Sequence, residues 1–494
     1  MKEKKNKIIH IAIIVIGAVF VLLSAFHTNI WFDEAYSVSI ANHSFAEIWQ
    51  ISSHDVHPIL YYWVLHVLNL IFGANLIVYR LFSVLCIILL GVLGYTHIRK
   101  DFGEKTGIIF SYLSFFLPAI CIYAVELRMY SLAMYLGAVL GIYAYRIVVG
   151  NFSKKNWVIF AISSLCLSYT HYYGLMTAGI INLVVFIYIL AKKKEDKRYI
   201  KSFIIQAIIE VVLYLPWIVP FLYRSISDGS GFWITIKFPD TLMALLNFQF
   251  AGDLENPFDK VSLIGLGFAT CLYIYLSFLA ICAIKKEKMD KMNAGVASIL
   301  VYIGVIIGAW IISLAVPILY SRYLLVITGL LVFTIAYFLA KEKNVAVIVV
   351  ALALLTGMAI YNESKLIKEN YAENNLDGVN YIKENIQDGD VIIYNRVNMA
   401  ILNTYFPNNT QYFLNYDHWG IHEAYKAFAP SMKIADDWSF LDGINGRIWI
   451  VDSEGDSFVY DNIDRDKVDI IKDKEFIRVD YHDYQYDITL VETK

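Results

Sequence analysis

Residues 27–75 contain neither lysine nor arginine, although the chain has 41 such residues in 494 positions. A connector that lacks them is expected on the side of a membrane away from the cytoplasm, because Lys and Arg in short loops are retained inside. Cysteine is scarce as well, and all five (Cys86, Cys121, Cys166, Cys271 and Cys282) fall in apolar runs. That excludes a disulfide framework in any water-exposed part and leaves no metal-type cysteine spacing. Charged residues make up only 17%, against 58% hydrophobic and 15% aromatic, with a mean hydropathy of +0.54. A set of soluble domains is excluded by that balance, and a polytopic membrane protein is expected. The net charge of −3 says little beside the placement of the charges.

Runs able to cross about 30 Å of hydrocarbon at about 1.5 Å per residue lie near 8–26, 76–98, 106–124, 130–148, 157–170, 174–191, 202–222, 261–284, 295–316, 322–340 and 344–361. About eleven spans are therefore expected. The basic N-terminus (Lys2, Lys4, Lys5, Lys7) and the connectors carrying Arg99-Lys100-Lys105, Lys154-Lys155, Lys192-Lys193-Lys194 with Lys197-Arg198, Lys285-Lys286-Lys288 and Lys341-Lys343 fall on one side. This predicts a cytoplasmic N-terminus, and an odd span count places the region after 361 outside. Residues 8–26 exceed the usual signal-peptide core and read as an uncleaved anchor. The stretch 58–73 would invert every later loop if it crossed, so it reads as an interfacial or re-entrant helix begun by Pro58.

After residue 361 the composition shifts to mixed charge with Asn, Asp and Gly turns. Residues 373–386 read as a helix, and 391–394, 447–451 and 476–479 as strands. The expected organisation is a membrane domain over 1–361 with a first extracytoplasmic loop at 27–75, then an extracytoplasmic α/β or α+β domain over 362–494.

Ionisable groups gather at the outer ends of the spans. Trp31-Phe32-Asp33-Glu34-Ala35-Tyr36 and His54-Asp55-Val56-His57-Pro58 occupy the first connector. Glu126-Leu127-Arg128-Met129-Tyr130, Tyr169-Thr170-His171-Tyr172-Tyr173 and Tyr320-Ser321-Arg322-Tyr323 end the third and fifth spans and precede the tenth. A carboxylate shielded by aromatics can serve as a general base or bind a cation, and the plain alternative is that Asp33 caps a helix starting at Glu34. His54, Asp55, Glu126 and His171 are candidates for a polar or metal site. They form no compact ligand set, and a divalent metal stays open. Arg128 and Arg322 stand apart, being rare cations on the side that otherwise avoids them. Two converging guanidiniums would grip a phosphate, and the membrane setting points to a lipid phosphate. Glu210, alone in an apolar span, is expected to face the bundle.

Asp-Glu after the first span, a His-Pro segment, Phe72-Gly73-Ala74-Asn75 leading to Arg80-Leu81, Arg128-x-Tyr130 and Arg322-Tyr323-Leu324 together resemble the GT-C glycosyltransferases. The resemblance is to the protein O-mannosyltransferase and aminoarabinose lipid A transferase group, family 39-like in its bacterial branch, and covers about residues 1–340. It implies an inverting transfer of a sugar from a polyprenyl-phosphate donor to an extracytoplasmic glycan, lipid or protein acceptor. Asp33, with Glu34 beside it, would be catalytic, and Asp33 the base. His57, Arg128, Tyr130 and Arg322 would contact the donor phosphate. The implied partners are the lipid-linked donor and membrane lipid, without nucleic acid. The chain departs from the group at Ile59, where relatives often carry a second Pro. In place of the Trp-Trp-Asp signature of oligosaccharyltransferases it offers only Tyr416-Asp417-His418-Trp419-Gly420. Two other classes stay open: a transporter or flippase of lipid-linked sugars, for which midplane polar features and a repeat are wanting, and a non-catalytic envelope assembly protein.

Overall fold

A computed structural model describes residues 2–191, 197–227, 234–251, 260–286, 293–416, 423–453, 455–478 and 484–494. Lys192-Lys193-Lys194, Lys288, parts of the 223–260 connector and residues 417–420 lie outside the described residues. In chain order the helices are α1 (Lys2–Leu22), α2 (Phe32–Ile40), α3 (Phe45–Ser52), α4 (Leu60–Phe72) and α5 (Leu76–Leu93), which continues through a π-helical turn into α6 (Arg99–Phe102). There follow α7 (Glu104–Phe116), α8 (Pro118–Tyr123), α9 (Tyr130–Val148), α10 (Lys154–Ser168), α11 (Tyr172–Ala191) and α12 (Lys197–Ser227). Next come α13 (Asp240–Ala251), α14 (Lys260–Lys286), α15 (Ala294–Ile312), α16 (Leu325–Lys341), α17 (Val345–Asn370) and α18 (Asp377–Asn385).

Among the described residues nine helices are long and apolar enough to cross a membrane, rather than eleven. The run expected at 106–124 breaks at Leu117, whose extended backbone (ψ 125°) hands over to Pro118 at the start of α8. Pro cannot accept the preceding helix's geometry, since its ring excludes the α conformation from the residue before it. The run expected at 157–170 is the 15-residue α10, about 22 Å long at 1.5 Å per residue. Helix α4 has 13 residues, too few to span, as expected for 58–73. Long helices with apolar side chains turned outward, and few charges within them, make this a multi-pass membrane protein.

The chain forms two compact units, one of residues 1–25, 56–61 and 80–364, the other of 26–55, 62–79 and 365–494. Within the first unit the span Ser321–Lys341 is central: 83% of its apolar window is buried, against 22% for Leu263–Ala283. Small residues let α9 and α16 approach, as membrane helices do where backbones must meet. A Cβ on Gly329 would sit 2.8 Å from the Met134 carbonyl oxygen and 3.0 Å from the Ala138 Cβ. Glu210 on α12 faces the bundle, accepting from Ser164 Oγ at 3.0 Å.

In the second unit six strands, β1 (Val391–Tyr394), β2 (Gln411–Leu414), β3 (Met432–Ala435), β4 (Arg447–Ser453), β5 (Val468–Arg478) and β6 (Gln485–Thr493), form one mixed sheet in the order β3-β2-β1-β4-β6-β5. Strands β3, β2, β1 and β4 run parallel, with Ile392 opposite both Gln411 and Trp449, whereas β6 is antiparallel to β4 and β5. Parallel central strands are covered on both faces and so read as unbroken apolar runs, as Val391–Tyr394 does. On one face Ile393, Ile448, Ile450, Val459 and Val491 form the core. On another part of β4, Trp449 Nε1 donates to Asp390 Oδ2 at 2.8 Å.

Candidate functional site

The first unit gathers residues from connectors that lie far apart in sequence. Segment 124–129 between α8 and α9 is non-helical, and α5 fixes it: Arg80 Nη1 donates to the Val125 carbonyl at 3.0 Å and Ser83 Oγ to the Glu126 carbonyl at 2.7 Å. Positions 80 and 83 share one helix face, so one turn of α5 holds two successive carbonyls. Arg128, thus placed and buried, donates from Nη2 to His57 Nδ1 at 3.3 Å. The backbone beside His57 is tied to α10 by Leu60 N–H donating to the Tyr169 carbonyl at 3.0 Å.

The His57 ring lies 5.2 Å from that of His171 and 6.3 Å from that of Tyr323, both edge-on. His171 in turn lies 5.0 Å from Tyr323 and 5.9 Å from Tyr130. Arg322 stacks over Tyr320 at 5.2 Å, and its charge reaches both imidazoles. Tyr173 Oη donates to the Ile318 carbonyl at 2.8 Å, joining α11 to the turn that carries Arg322. Gly174 allows this turn, since a Cβ there would collide with the Leu167 carbonyl.

Electrostatics follow from burial. Removal from water holds His57 well below its ordinary value, with Arg128, His171 and Arg322 adding to the shift. The same burial, with Arg128 and Arg322, takes His171 down to about 3. Both imidazoles are therefore neutral at physiological pH, and the two guanidiniums supply the positive charge. Helices α9 and α11 begin at this cluster, as does the 3₁₀ turn Ser321–Leu324 that leads into α16. Helix N-termini carry partial positive charge and free N–H groups, so the cluster suits an anion.

In the second unit α2 begins at Phe32 with Trp31 as its N-cap, which places Asp33 in the first turn rather than at the cap. Asp33 is half-buried and Glu34 buried. The segment leading into α2 is held by tyrosines: Phe26 N–H donates to Tyr371 Oη at 3.0 Å, Ile30 N–H to Tyr405 Oη at 3.1 Å and Phe32 N–H to Tyr484 Oη at 3.1 Å. Phe32 and Tyr36 pack on Phe428 with ring centres 5.9 and 6.0 Å away. The acidic pair thus belongs to a helix seated on the C-terminal domain.

His54 Nδ1 bonds the Gln50 carbonyl at 3.0 Å, and Asp55 Oδ2 accepts from Tyr62 Oη at 3.0 Å. Those two lie in the second unit, while Glu126 and His171 lie in the first. No group of three or more His, Cys, Asp or Glu able to hold a metal occurs among the described residues. Sequence reading did not single out the clamp made by Arg80 and Ser83, or the tyrosine supports of α2. Of these only Arg80 carried a signal, as part of the motif Phe72-Gly73-Ala74-Asn75 leading to Arg80-Leu81.

No protein-family model matches the sequence, and no curated protein matches it. Among solved structures, ArnT from Cupriavidus metallidurans bound to undecaprenyl phosphate superposes with a TM-score of 0.59 at 13% identity, covering 98% of this chain and 97% of that one. The same protein in the apo state gives 0.50 at 12% identity over 99% and 98%. An oligosaccharyltransferase of Archaeoglobus fulgidus in complex with Zn and sulfate gives 0.44 at 12% identity over 81% and 62%. The likeness to ArnT runs through the C-terminal domain, beyond the roughly 340 residues over which motifs resemble the group. Over almost its whole length, this chain has the fold of the ArnT structures.

Proposed function

We propose that the protein is an inverting glycosyltransferase that moves a sugar from a polyprenyl-phosphate donor to an extracytoplasmic hydroxyl acceptor. The observation that carries this reading is the cluster of buried Arg128, His57, His171 and Tyr130 with half-buried Arg322 at three helix starts, in a fold shared with a protein crystallised with undecaprenyl phosphate. The acceptor is a glycan, lipid or protein of the cell envelope. The N-terminus is assigned to the cytoplasm and residues 362–494 to the outside, on the Lys and Arg distribution.

In the reaction the acceptor oxygen attacks the anomeric carbon, the bond from that carbon to the phosphate oxygen breaks, and the acceptor proton passes to Asp33. The donor phosphodiester carries one negative charge and the departing monoester carries two. Two guanidiniums facing neutral imidazoles match the charge that develops, so they stabilise the transition state more than the ground state. Polyprenyl phosphate is already a good leaving group, and one base with correct positioning completes the chemistry.

The test is transfer from polyprenyl-phosphate hexose or pentose donors by purified wild-type protein and Asp33→Asn, with envelope extract as acceptor source and donor binding followed in parallel. Turnover should fall by roughly 10²–10⁴-fold in the variant while binding persists. Donor bound by both proteins with transfer by neither would sink the enzyme reading in favour of transport or assembly.

A further inference from the structure

His171 precedes α11, and its Nδ1 accepts the backbone N–H of Tyr173 at 3.0 Å. The ring therefore does the work of a capping side chain for a helix that has no Ser, Thr, Asp or Asn there. An imidazole that accepts at Nδ1 and is neutral must carry its proton at Nε2. That Nε2–H is buried and finds no partner among the described residues, and neither does the hydroxyl of Tyr130, whose ring centre is 5.9 Å away. The two residues are 3% and 1% exposed. Leaving buried donors unmade costs about 1–3 kcal/mol each, so two of them side by side are unfavourable unless a ligand satisfies them. An Nε2–H cannot accept, so that ligand must bring acceptor atoms. Beside Arg128 and Arg322, whose charges act on both His171 and Tyr130, the ligand must also be an anion.

We propose that His171 Nε2–H and the Tyr130 hydroxyl donate hydrogen bonds to the non-bridging oxygens of a polyprenyl phosphate held by Arg128 and Arg322. This rests on the functional reading above and deepens it. It assigns His171 to phosphate recognition instead of metal ligation, and it fixes the tautomer in which it acts. Because neither donor is charged, the pair adds directional specificity for phosphate oxygen without adding to the positive charge of the site.

The test measures binding of a short-chain polyprenyl phosphate, and of the matching polyprenyl alcohol, to wild-type protein, His171→Phe, His171→Gln and Tyr130→Phe in detergent. Wild type should prefer the phosphate. His171→Phe and Tyr130→Phe should each weaken phosphate binding roughly 10- to 100-fold with alcohol binding unchanged. His171→Gln, whose amide nitrogen extends about as far as Nε2, should recover part of the loss. Phosphate binding undiminished in His171→Phe, or equal losses for phosphate and alcohol, would overturn the assignment while leaving the enzyme reading intact. Wild-type protein with no preference for phosphate would overturn both.

Discussion

Two imidazoles in a site with two guanidiniums set a pH dependence that is opposite to the familiar histidine salt bridge. Unfolded, His171 takes a proton near 6.5, and folded it does so only at about 3. Between those values the unfolded chain binds more protons, so stability is full above about 6.5 and falls as the pH drops through the window. The slope is roughly 1.4 kcal/mol per pH unit for such a group. His57 acts in the same direction, since its value is also held well below normal. Thermal unfolding in detergent between pH 8 and 5 should therefore show a steeper loss on acidification for wild type than for His171→Gln. Equal slopes would mean that His171 is protonated in the folded protein. In the sequence, the Arg and His pairings were legible as rare charges at the outer ends of apolar runs. The tautomer was not, because it depends on one backbone N–H two residues on.

At the scale of the element, α2 has no side-chain cap of its own and nine residues, too short to hold itself in place. Its placement comes from hydroxyls, with Tyr405 both accepting from Ile30 N–H and donating to the Thr28 carbonyl at 3.3 Å. Tyr405→Phe combined with Tyr484→Phe keeps the rings and removes the acceptors. On the reading of Asp33 as base, turnover should drop about tenfold while polyprenyl-phosphate affinity stays at the wild-type value. Unchanged turnover would show that these hydroxyls do not position α2 for catalysis. Helix α2 itself could be anticipated from its local sequence, but its partners could not, because they stand 375 and 452 positions further along the chain. The break at Pro118 was open to a local reading and was lost in the apolar run around it. The strands β1 and β4 were visible because buried parallel strands are continuously apolar. Strand β2, only four residues long and begun by Gln411, and strands β3 and β6, interrupted by Lys433 and Asp487, were not.

For the molecule as a whole, orientation follows from which connectors hold Lys and Arg, and the protein supplies its own background for testing it. All five cysteines lie in α5, α8, α10 and α14, and Cys271 and Cys282, though on the surface of the first unit, belong to a helix whose outward side chains are those of a lipid-facing span. A polar, membrane-impermeant maleimide should therefore leave the wild-type protein unlabelled in intact cells, since such a reagent does not enter hydrocarbon. Cysteine placed at exposed positions then reports side. Asp388→Cys, on the turn before β1, should label in intact cells, and Lys4→Cys, near the start of α1, only after lysis. Both substitutions remove one exposed charge and disturb no buried contact, so the labelling reads topology rather than folding. The reverse pattern would place the C-terminal domain in the cytoplasm, and an acceptor outside the cell would then be excluded.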